Sequence, residues 1–269
     1  MKAVVAGAGA WGTAFSYVLA TRGHEVTLAC RDPEQARAIE ETGRNPRYLP
    51  NADLAGVSAT TLDDPTLAGA DLHVVAVPSH AFGEIARVLP GAAPVLSLTK
   101  GLDPQTGRRL SELVERRAVA VLSGPNFAEE IADGLPAAAV IASEDERLTL
   151  ELQQATNSLA FRVYTSDDPT GVELCAAAKN VIALAAGGVD GLGLGDNAKA
   201  ALIARGASPD EAAAEIGTVE GLTTAPVLRD LSYRLGIELP ITEGVCKVLD
   251  GTDLHELAAS LMGRQPTRE

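Results

Sequence analysis

A glycine-rich turn near the start of the chain constrains its fold more than any other feature of the sequence. Residues Gly7–Gly12, with the sequence GAGAWG, fit the pattern G-x-G-x-x-G, follow the apolar run Ala3–Ala6 and open a helical pattern. In this context Gly7 permits a tight turn, Gly9 keeps a side chain away from an approaching phosphate, and Gly12 allows close packing of helix on strand. We therefore predict a strand–turn–helix unit whose helix N-terminus presents free N–H groups to phosphate. The alternative is a glycine-rich turn with a purely structural role.

Residues 1–167 alternate short apolar runs with helical patterns. Near-continuous apolar runs are typical of parallel strands that are buried on both faces. Their alternation with helices predicts a doubly wound sheet with right-handed crossovers. Together with the glycine-rich turn, this predicts an α/β fold that starts with a Rossmann dinucleotide-binding domain. The predicted strands are Lys2–Ala6, Glu25–Cys30, Asp71–Val77, Pro94–Leu98, Ala118–Leu122 and Ala137–Ala142, and the predicted helices include Trp11–Thr21, Pro33–Glu40 and Phe82–Leu89.

From residue 168 to residue 269 the strand-like runs stop and helical patterns dominate. We therefore predict a second, all-helical domain that supplies the substrate site. The predicted helices are Gly171–Ala186, Asp210–Ile216, Thr223–Leu235, Thr242–Leu249 and Asp253–Met262.

An acidic composition limits the partners that this chain can bind. The formal net charge is −14, whereas nucleic acids and anionic membranes attract clustered positive charge. No apolar run approaches the roughly 20 residues that span a bilayer, and the first residues lack the layout of a signal peptide. The three cysteines are widely spaced and the four histidines are scattered, which predicts free thiols, a reducing cytoplasmic compartment and no metal site. We expect no nucleic-acid partner and no membrane insertion.

The end of the second predicted strand bears on the choice of dinucleotide. Arg31 and Asp32 follow directly after this strand, at the position where an NAD-specific fold places an acid against the ribose hydroxyls. Arg31 can instead hold the 2′-phosphate of NADP, because a guanidinium forks onto phosphate oxygens. Asp32 can then cap the helix that begins at Pro33. The sequence favours NADP over NAD and leaves both open.

Two loops follow predicted strands at their carboxyl ends, where open α/β sheets bind ligands. Lys100 follows the strand Pro94–Leu98 and is either a ligand-binding lysine or a solvated loop lysine. The run Ser123–Ala128 follows the strand Ala118–Leu122 and is suited to present backbone N–H groups to a ligand.

Lys179 lies within the helical pattern Gly171–Ala186, and its neighbours at three, four and seven positions are all apolar. This pattern predicts that the lysine lies on a face that packs into the core, where charged side chains are rare. Desolvation there would disfavour the charged form of the amine, which suits a general base near neutral pH. The alternative is a lysine whose head reaches water along the helix. Asn180 beside it is a candidate hydrogen-bonding partner for the substrate.

An ordered set of short motifs runs from near residue 1 to about Arg264. The motifs are Gly7–Gly12 with its Trp11, Arg31-Asp32, Asn45–Pro50, Ala76–Ser79, Thr99–Gly101, Ser123–Pro125, Tyr164–Asp168, Ala178–Val181, Gly191–Asn197, Ala201–Gly206 and Val219–Gly221. Taken together, they resemble the bacterial NAD(P)-dependent glycerol-3-phosphate dehydrogenase family. The order of the whole set is far more specific than any one motif.

This resemblance implies that dihydroxyacetone phosphate is reduced by NADPH or NADH to sn-glycerol 3-phosphate, reversibly, and that the product feeds glycerophospholipid synthesis. It implies that Lys179 takes up the proton in alcohol oxidation and donates it in ketone reduction. Lys100 would contact substrate and cofactor. A small phosphorylated substrate is therefore the expected partner, and a homodimer is left open. The other implied site residues are Gly124 and Asn126 for the substrate, and Ala10, Trp11, Arg31, Ala128 and Glu220 for the cofactor, beside Gly7, Gly9 and Gly12.

The sequence departs from the family pattern in three places. Ala10 and Asn126 stand where a hydroxyl residue is usual. In the family, several tens of residues separate the stretches that resemble Ala201–Gly206 and Ala207–Gly221, and they carry a Gly-Leu-Gly-Asp motif and a Ser-Arg-Asn motif. Here neither motif follows Gly206. We therefore predict a shortened helical domain, with cofactor binding retained and turnover weak or lost unless another chain fills the gap.

Two other functions stay open from the sequence alone. One is a catalytically impaired dinucleotide-binding protein, which an activity assay with dihydroxyacetone phosphate would distinguish. The other is a related hydroxyacid dehydrogenase, because those enzymes resemble this chain in using a lysine and an asparagine on the first helix after the Rossmann domain. A screen of 3-hydroxy acids would identify it.

Overall fold

A computed structural model of the chain describes residues 1–189, 220–236 and 239–253. These residues fall into two compact units. The first unit contains Met1–Asp103 and Arg108–Ala176, and the second contains Pro104–Gly107 and the described residues from Ala177 onward. The sequence predicted a boundary between residues 167 and 168.

The first unit is built on one sheet of eight strands in the order β3-β2-β1-β4-β5-β6-β7-β8. Neighbouring strands are parallel, except that β6 and β7 are antiparallel. The order 3-2-1-4-5-6 is that of the Rossmann fold, so the predicted fold class is confirmed. The strands are β1 Lys2–Ala6, β2 Glu25–Cys30, β3 Val57–Thr61, β4 Leu72–Val75, β5 Val95–Ser97, β6 Val119–Ser123, β7 Ala137–Ala142 and β8 Phe161–Ser166.

Helices cover both faces of this sheet. Successive residues of β1 point to opposite faces: Val5 packs in one buried cluster with Phe15, and Val4 packs in another with Phe82. Because both faces are buried, the central strands consist almost wholly of apolar residues. The helices of this unit are α1 Ala10–Thr21, α2 Pro33–Thr42, α3 Ser79–Val88, α4 Ala128–Ala132 and α5 Glu146–Thr156, with short 3-10 helices at Pro65–Gly69 and Leu110–Leu113.

The six strands predicted from the sequence are present, with ends that shift by at most two residues. Two further strands, β3 and β8, were missed. Both lie at the edges of the sheet, where a strand pairs on one side only. In β8 the buried Phe161 and Val163 alternate with the exposed Arg162 and Tyr164, so the strand lacks the continuous apolar run that marks a central strand.

Described elements after residue 168 are helices: α6 Pro169–Val189, α7 Glu220–Leu235 and α8 Pro240–Leu249. They extend the predicted Gly171–Ala186, Thr223–Leu235 and Thr242–Leu249 by a few residues. α7 and α8 pack against each other. The predicted helix Asp210–Ile216, nearly all of Asp253–Met262 and the predicted shortening of this domain lie outside the described residues. Within the described residues, no helix is both long enough and apolar enough to cross a membrane.

Candidate functional site

The glycine-rich turn lies where β1 ends, between β2 and β4, at the carboxyl edge of the sheet. Gly7 has φ +113°, a conformation that L side chains rarely adopt, and a Cβ there would lie 2.4 Å from the carbonyl oxygen of Ala76. A Cβ on Gly12 would lie 1.9 Å from the carbonyl oxygen of Gly7. The packing of β1, α1 and the end of β4 therefore requires both glycines, whether or not a ligand is bound.

Gly9 differs from these two glycines. A Cβ at this position would have no protein atom within 4 Å, so protein packing does not require a glycine here. Gly9 is the N-cap of α1, and the first turn of that helix has neither a capping side chain nor an acidic residue. The orphan N–H groups of a helix start attract anions. The turn therefore fits the pyrophosphate of a dinucleotide, with Gly9 giving it room.

Asn45 fastens this turn to the rest of the domain. Its side chain is fully buried, and its amide nitrogen donates to the carbonyl oxygen of Ala8 at 3.1 Å and to the hydroxyl of Thr13 at 2.8 Å. Gln35 also donates to the carbonyl oxygen of Ala8, at 2.8 Å. From the sequence, Asn45 was only part of a family motif, because a lone Asn-Pro in a loop gives no signal of the segment it will contact.

The end of β2 presents the two side chains that bear on NADP and NAD. Arg31 is exposed, and no hydrogen bond or ion pair is seen for it within the described ranges. Asp32 caps α2, since its carboxylate accepts from the N–H of Glu34 at 2.9 Å and Pro33 occupies the first turn. The predicted capping role of Asp32 is confirmed, which leaves Arg31 as the free guanidinium at this strand end.

Further along the same edge, the loops after β5 and β6 carry the predicted substrate residues. Lys100 is half-buried in the loop after β5, where the Thr99 hydroxyl donates to the carbonyl oxygen of Val77 at 2.8 Å and ties this loop to the end of β4. Gly124 follows β6, and a Cβ there would lie 2.4 Å from the carbonyl oxygen of Ala138. Ala128 is buried at the start of α4. These residues share one edge of the sheet with the glycine-rich turn.

Two buried polar atoms at this edge lack a hydrogen-bond partner within the described part of the chain: Trp11 Nε1 and Asn126 Oδ1. Trp11 lies in the first turn of α1 and packs edge-on against Phe15, with ring centroids 5.7 Å apart. A buried unsatisfied donor or acceptor costs about 1–3 kcal/mol, so such groups call for a partner from outside the described residues. One donor and one acceptor therefore fit a polar ligand at this edge.

The predicted burial of Lys179 is wrong, because its side chain is exposed. The buried face of α6 runs through Glu173, Ala177 and Val181. Lys179 lies two residues from both Ala177 and Val181, roughly 160–200° around the helix from each, and shares the exposed face with Cys175. The sequence of α6 has small apolar residues on every side of the helix. Apolar neighbours three and four positions from Lys179 therefore do not show which face of the helix enters the core.

The other two predicted residues beyond residue 177 also belong to the second unit. Asn180 is half-buried beside Lys179, and Glu220 begins α7. No group of three or more histidine, cysteine or acidic side chains suited to a metal ion occurs among the described residues.

Glu173 is a buried charged group that sequence analysis did not single out. Its carboxylate, 6% exposed, accepts from the N–H of Ser111 at 2.9 Å, from the Ser111 hydroxyl at 2.5 Å and from Arg109 at 3.1 Å. These bonds anchor the start of α6 to the 3-10 helix that follows the Lys100 loop. A glutamate on an otherwise apolar helical face was the signal that could have marked it.

Family models match most of the residues described above. The model described as the NAD-dependent glycerol-3-phosphate dehydrogenase N-terminus matches residues 2–149, and the model of its C-terminus matches residues 168–209. The chain belongs to this family. The resemblance inferred from the ordered motifs is thereby confirmed.

Individual members of the NAD-dependent glycerol-3-phosphate dehydrogenase family align along nearly the whole chain. Glycerol-3-phosphate dehydrogenase [NAD(P)+] of Moorella thermoacetica is 38% identical over 323 positions, covering 98% of this chain and 96% of the relative. The same enzyme of Halorhodospira halophila is 38% identical, covering 98% and 97%. The aligned length exceeds the 269 residues of this chain, so these relatives contain residues with no counterpart here.

Solved structures of glycerol-3-phosphate dehydrogenases have the same fold. The crystal structure of the enzyme from Coxiella burnetii superposes with a TM-score of 0.87 at 31% identity, covering 98% of this chain and 99% of that one. The enzyme from Plasmodium falciparum gives a TM-score of 0.87 at 21% identity, covering 100% and 97%, which shows the fold alone.

Proposed function

We propose that this protein binds NADPH or NADH and reduces dihydroxyacetone phosphate to sn-glycerol 3-phosphate. The observation that carries this proposal is the uncapped start of α1 beside Gly9, in a chain whose family is named for glycerol-3-phosphate dehydrogenase. Packing explains Gly7 and Gly12 without a ligand, but it does not explain Gly9. A dinucleotide phosphate does explain Gly9.

Residues of the first unit would bind the anionic groups. The turn Gly7–Gly12, with Ala10 and Trp11, would hold the pyrophosphate through backbone N–H groups, and Arg31 would hold a 2′-phosphate. In a chain with a formal net charge of −14, such local cations are needed to bind a phosphorylated substrate. Lys100 supplies one from the loop after β5. The remaining proposed contacts are Gly124, Asn126 and Asn180 to substrate, and Ala128 and Glu220 to cofactor.

Lys179 is the proposed proton carrier. When bound, the nicotinamide cofactor supplies a hydride to the carbonyl carbon of dihydroxyacetone phosphate. The ketone oxygen must then gain one proton, and we assign its donation to the Nζ amine of Lys179, which takes the proton back in the reverse reaction. Exposure of this side chain leaves the amine accessible to a substrate that enters from solvent.

A second candidate is a dinucleotide-binding protein with impaired catalysis. Two observations favour it. The aligned relatives contain residues that have no counterpart in this chain, and the C-terminal family model matches only as far as residue 209. In the family, the motifs missing after Gly206 supply an Asp near the lysine and an Arg–Asn pair for the substrate phosphate and cofactor. Each lost charged hydrogen bond costs roughly 1.5–3 kcal/mol. We therefore propose that cofactor binding is retained and that turnover is weak or, in this second candidate, lost.

The experiment is a paired measurement of binding and turnover on the purified chain. NADPH binding is followed by the cofactor's fluorescence, and turnover by NADPH oxidation with dihydroxyacetone phosphate. Binding with slow, substrate-dependent oxidation supports the dehydrogenase. Binding without oxidation leads to the second candidate, and oxidation only with a 3-hydroxy acid's keto form identifies the related hydroxyacid dehydrogenase. Turnover at ordinary rates, about 10 per second, would contradict the proposed impairment.

We further propose that the protein acts in the cytoplasm and supplies glycerophospholipid synthesis. Its three cysteines, Cys30, Cys175 and Cys246, are all free thiols, as is usual in a reducing compartment. A homodimer is proposed on family resemblance alone, and sedimentation of the purified chain tests it.

A further inference from the structure

We propose that Arg47 is a second cation for the 2′-phosphate of NADP, acting beside Arg31, and that it discriminates NADPH from NADH. This inference rests on the proposed function, because it assigns a residue to the same cofactor site. It goes beyond that function in identifying which side chains set the choice between the two dinucleotides. Arg47 belongs to the motif Asn45–Pro50, but the sequence alone does not show that its side chain reaches the end of β2.

The backbone of Arg47 is tied to the phosphate-binding turn. Its N–H donates to the side-chain oxygen of Asn45 at 3.2 Å, and the same Asn45 donates to Ala8 within the turn. Asn45 is fully buried and also bonded to Thr13 of α1. The backbone of Arg47 is therefore held at a fixed position relative to the start of α1, and its side chain projects from there.

The side chain of Arg47 reaches the end of β2. Its guanidinium lies 3.5 Å from the Asp32 carboxylate, with side-chain exposures of 62% and 41%. The other carboxylate oxygen of Asp32 already accepts from Glu34. An exposed ion pair of this kind contributes at most about 1 kcal/mol, so Arg47 can exchange Asp32 for a phosphate at little cost.

The position reached by Arg47 is the one that selects between dinucleotides in a Rossmann fold. An acid at the end of the second strand favours the ribose hydroxyls of NAD, and an arginine nearby favours the 2′-phosphate of NADP. Here Asp32 is engaged as the cap of α2 and as the partner of Arg47, while Arg31 adjoins it. Two guanidinium groups at this strand end can grip a doubly charged phosphate, and the Asp32 carboxylate opposes it.

The test measures dissociation constants of NADPH and NADH by fluorescence titration, and of adenosine 2′,5′-bisphosphate by displacement. Arg47→Gln is expected to weaken NADPH and the bisphosphate about tenfold and to leave NADH within about twofold. Arg87→Gln is the matched control, because Arg87 is an equally charged, exposed residue on α3. It is expected to change none of the three constants.

Asp32→Asn provides the opposite change. Asparagine caps a helix as well as aspartate, so α2 keeps its cap while the carboxylate charge is removed. The ratio of NADPH affinity to NADH affinity is expected to rise. The inference would be overturned if this ratio fell in Asp32→Asn. It would also be overturned if Arg47→Gln lost affinity for NADPH and NADH equally, or if its affinities did not change. Failure of the unmodified protein to bind either dinucleotide would overturn the proposed function itself.

Discussion

Asn45 donates a hydrogen bond of 3.1 Å to the carbonyl oxygen of Ala8, joining the loop after α2 to the glycine-rich turn. The same side chain accepts from the N–H groups of Arg47 and Tyr48, both at 3.2 Å. One buried amide thus fixes the shape of two neighbouring loops at the carboxyl edge of the sheet. The turn is the proposed pyrophosphate site. Its conformation therefore depends on a residue 37 positions away in the sequence.

Replacing Asn45 by Ala should weaken both the fold and the dinucleotide site. The change removes the hydrogen-bond partner of the buried Thr13 hydroxyl and of the N–H groups of Arg47 and Tyr48, which we expect to lower the free energy of unfolding by about 2 kcal/mol. NADPH affinity should also fall, because the turn loses its anchor. Urea unfolding and fluorescence titration measure the two effects. Asn51→Ala, at an exposed loop position, is the control, and equal behaviour of the two variants would contradict the anchoring role.

The two glycines Gly9 and Gly12 should respond to Ala substitution in opposite ways. Gly12→Ala places a Cβ 1.9 Å from a backbone oxygen and should prevent stable folding. Gly9→Ala meets no protein atom within 4 Å, so the fold should survive while NADPH binding is lost or weakened. Circular dichroism and NADPH titration distinguish these outcomes. A Gly9→Ala protein that binds NADPH normally would argue against a phosphate at this turn.

Glu173→Ala should destabilise the protein by about 3 kcal/mol, because it removes the acceptor of three hydrogen bonds, one of which is also the ion pair with Arg109. The free energy of unfolding in urea checks this value. Glu115→Ala removes an exposed carboxylate and should change stability by less than about 0.5 kcal/mol. A similar small effect for Glu173→Ala would show that its contacts add nothing to stability.

His73 should make the protein less stable in mild acid. It is fully buried on β4, and no partner for either ring nitrogen is seen within the described ranges. Burial, with a smaller contribution from Arg117, lowers the pKa of His73 from 6.5 to about 4. The unfolded chain therefore binds a proton that the folded chain does not between those pH values, and stability falls as pH drops from 6.5 towards 4.

Urea unfolding at several pH values tests this prediction. His73 should lower the free energy of unfolding by about 3 kcal/mol as the pH falls across this range. His73→Val should lack that part of the pH dependence. Parallel stability profiles for the unmodified protein and His73→Val would refute the assignment.

Much of the fold could be predicted from the sequence because central strands and the glycine-rich turn carry strong local signals. The strands around β1 are buried on both faces and consist almost wholly of apolar residues. The edge strand β8 alternates buried and exposed residues, and three of the five residues of β3 are serine or threonine, so neither gives that signal.

Parts of the candidate site could be predicted where the role of a residue is set by its immediate neighbours in the sequence. Asp32 before Pro33 marks a helix cap, and Gly7–Gly12 marks a phosphate turn. The contacts of Asn45 and Arg47 depend on where a loop returns to the sheet, which local pattern does not contain. The exposed face of Lys179 was misjudged because an alanine-rich helix has no clear polar side.

Proton donation by Lys179 is the central claim, and its most direct test is NADPH oxidation driven by dihydroxyacetone phosphate in the unmodified chain, Lys179→Ala and Lys247→Ala. Lys247 is an exposed lysine on α8 and serves as the matched control. We predict slow substrate-dependent oxidation that falls at least about 100-fold in Lys179→Ala, with NADPH binding retained, and is unchanged in Lys247→Ala. A Lys179→Ala protein that oxidises NADPH as fast as the unmodified chain, or an unmodified chain with no substrate-dependent oxidation, would contradict the account.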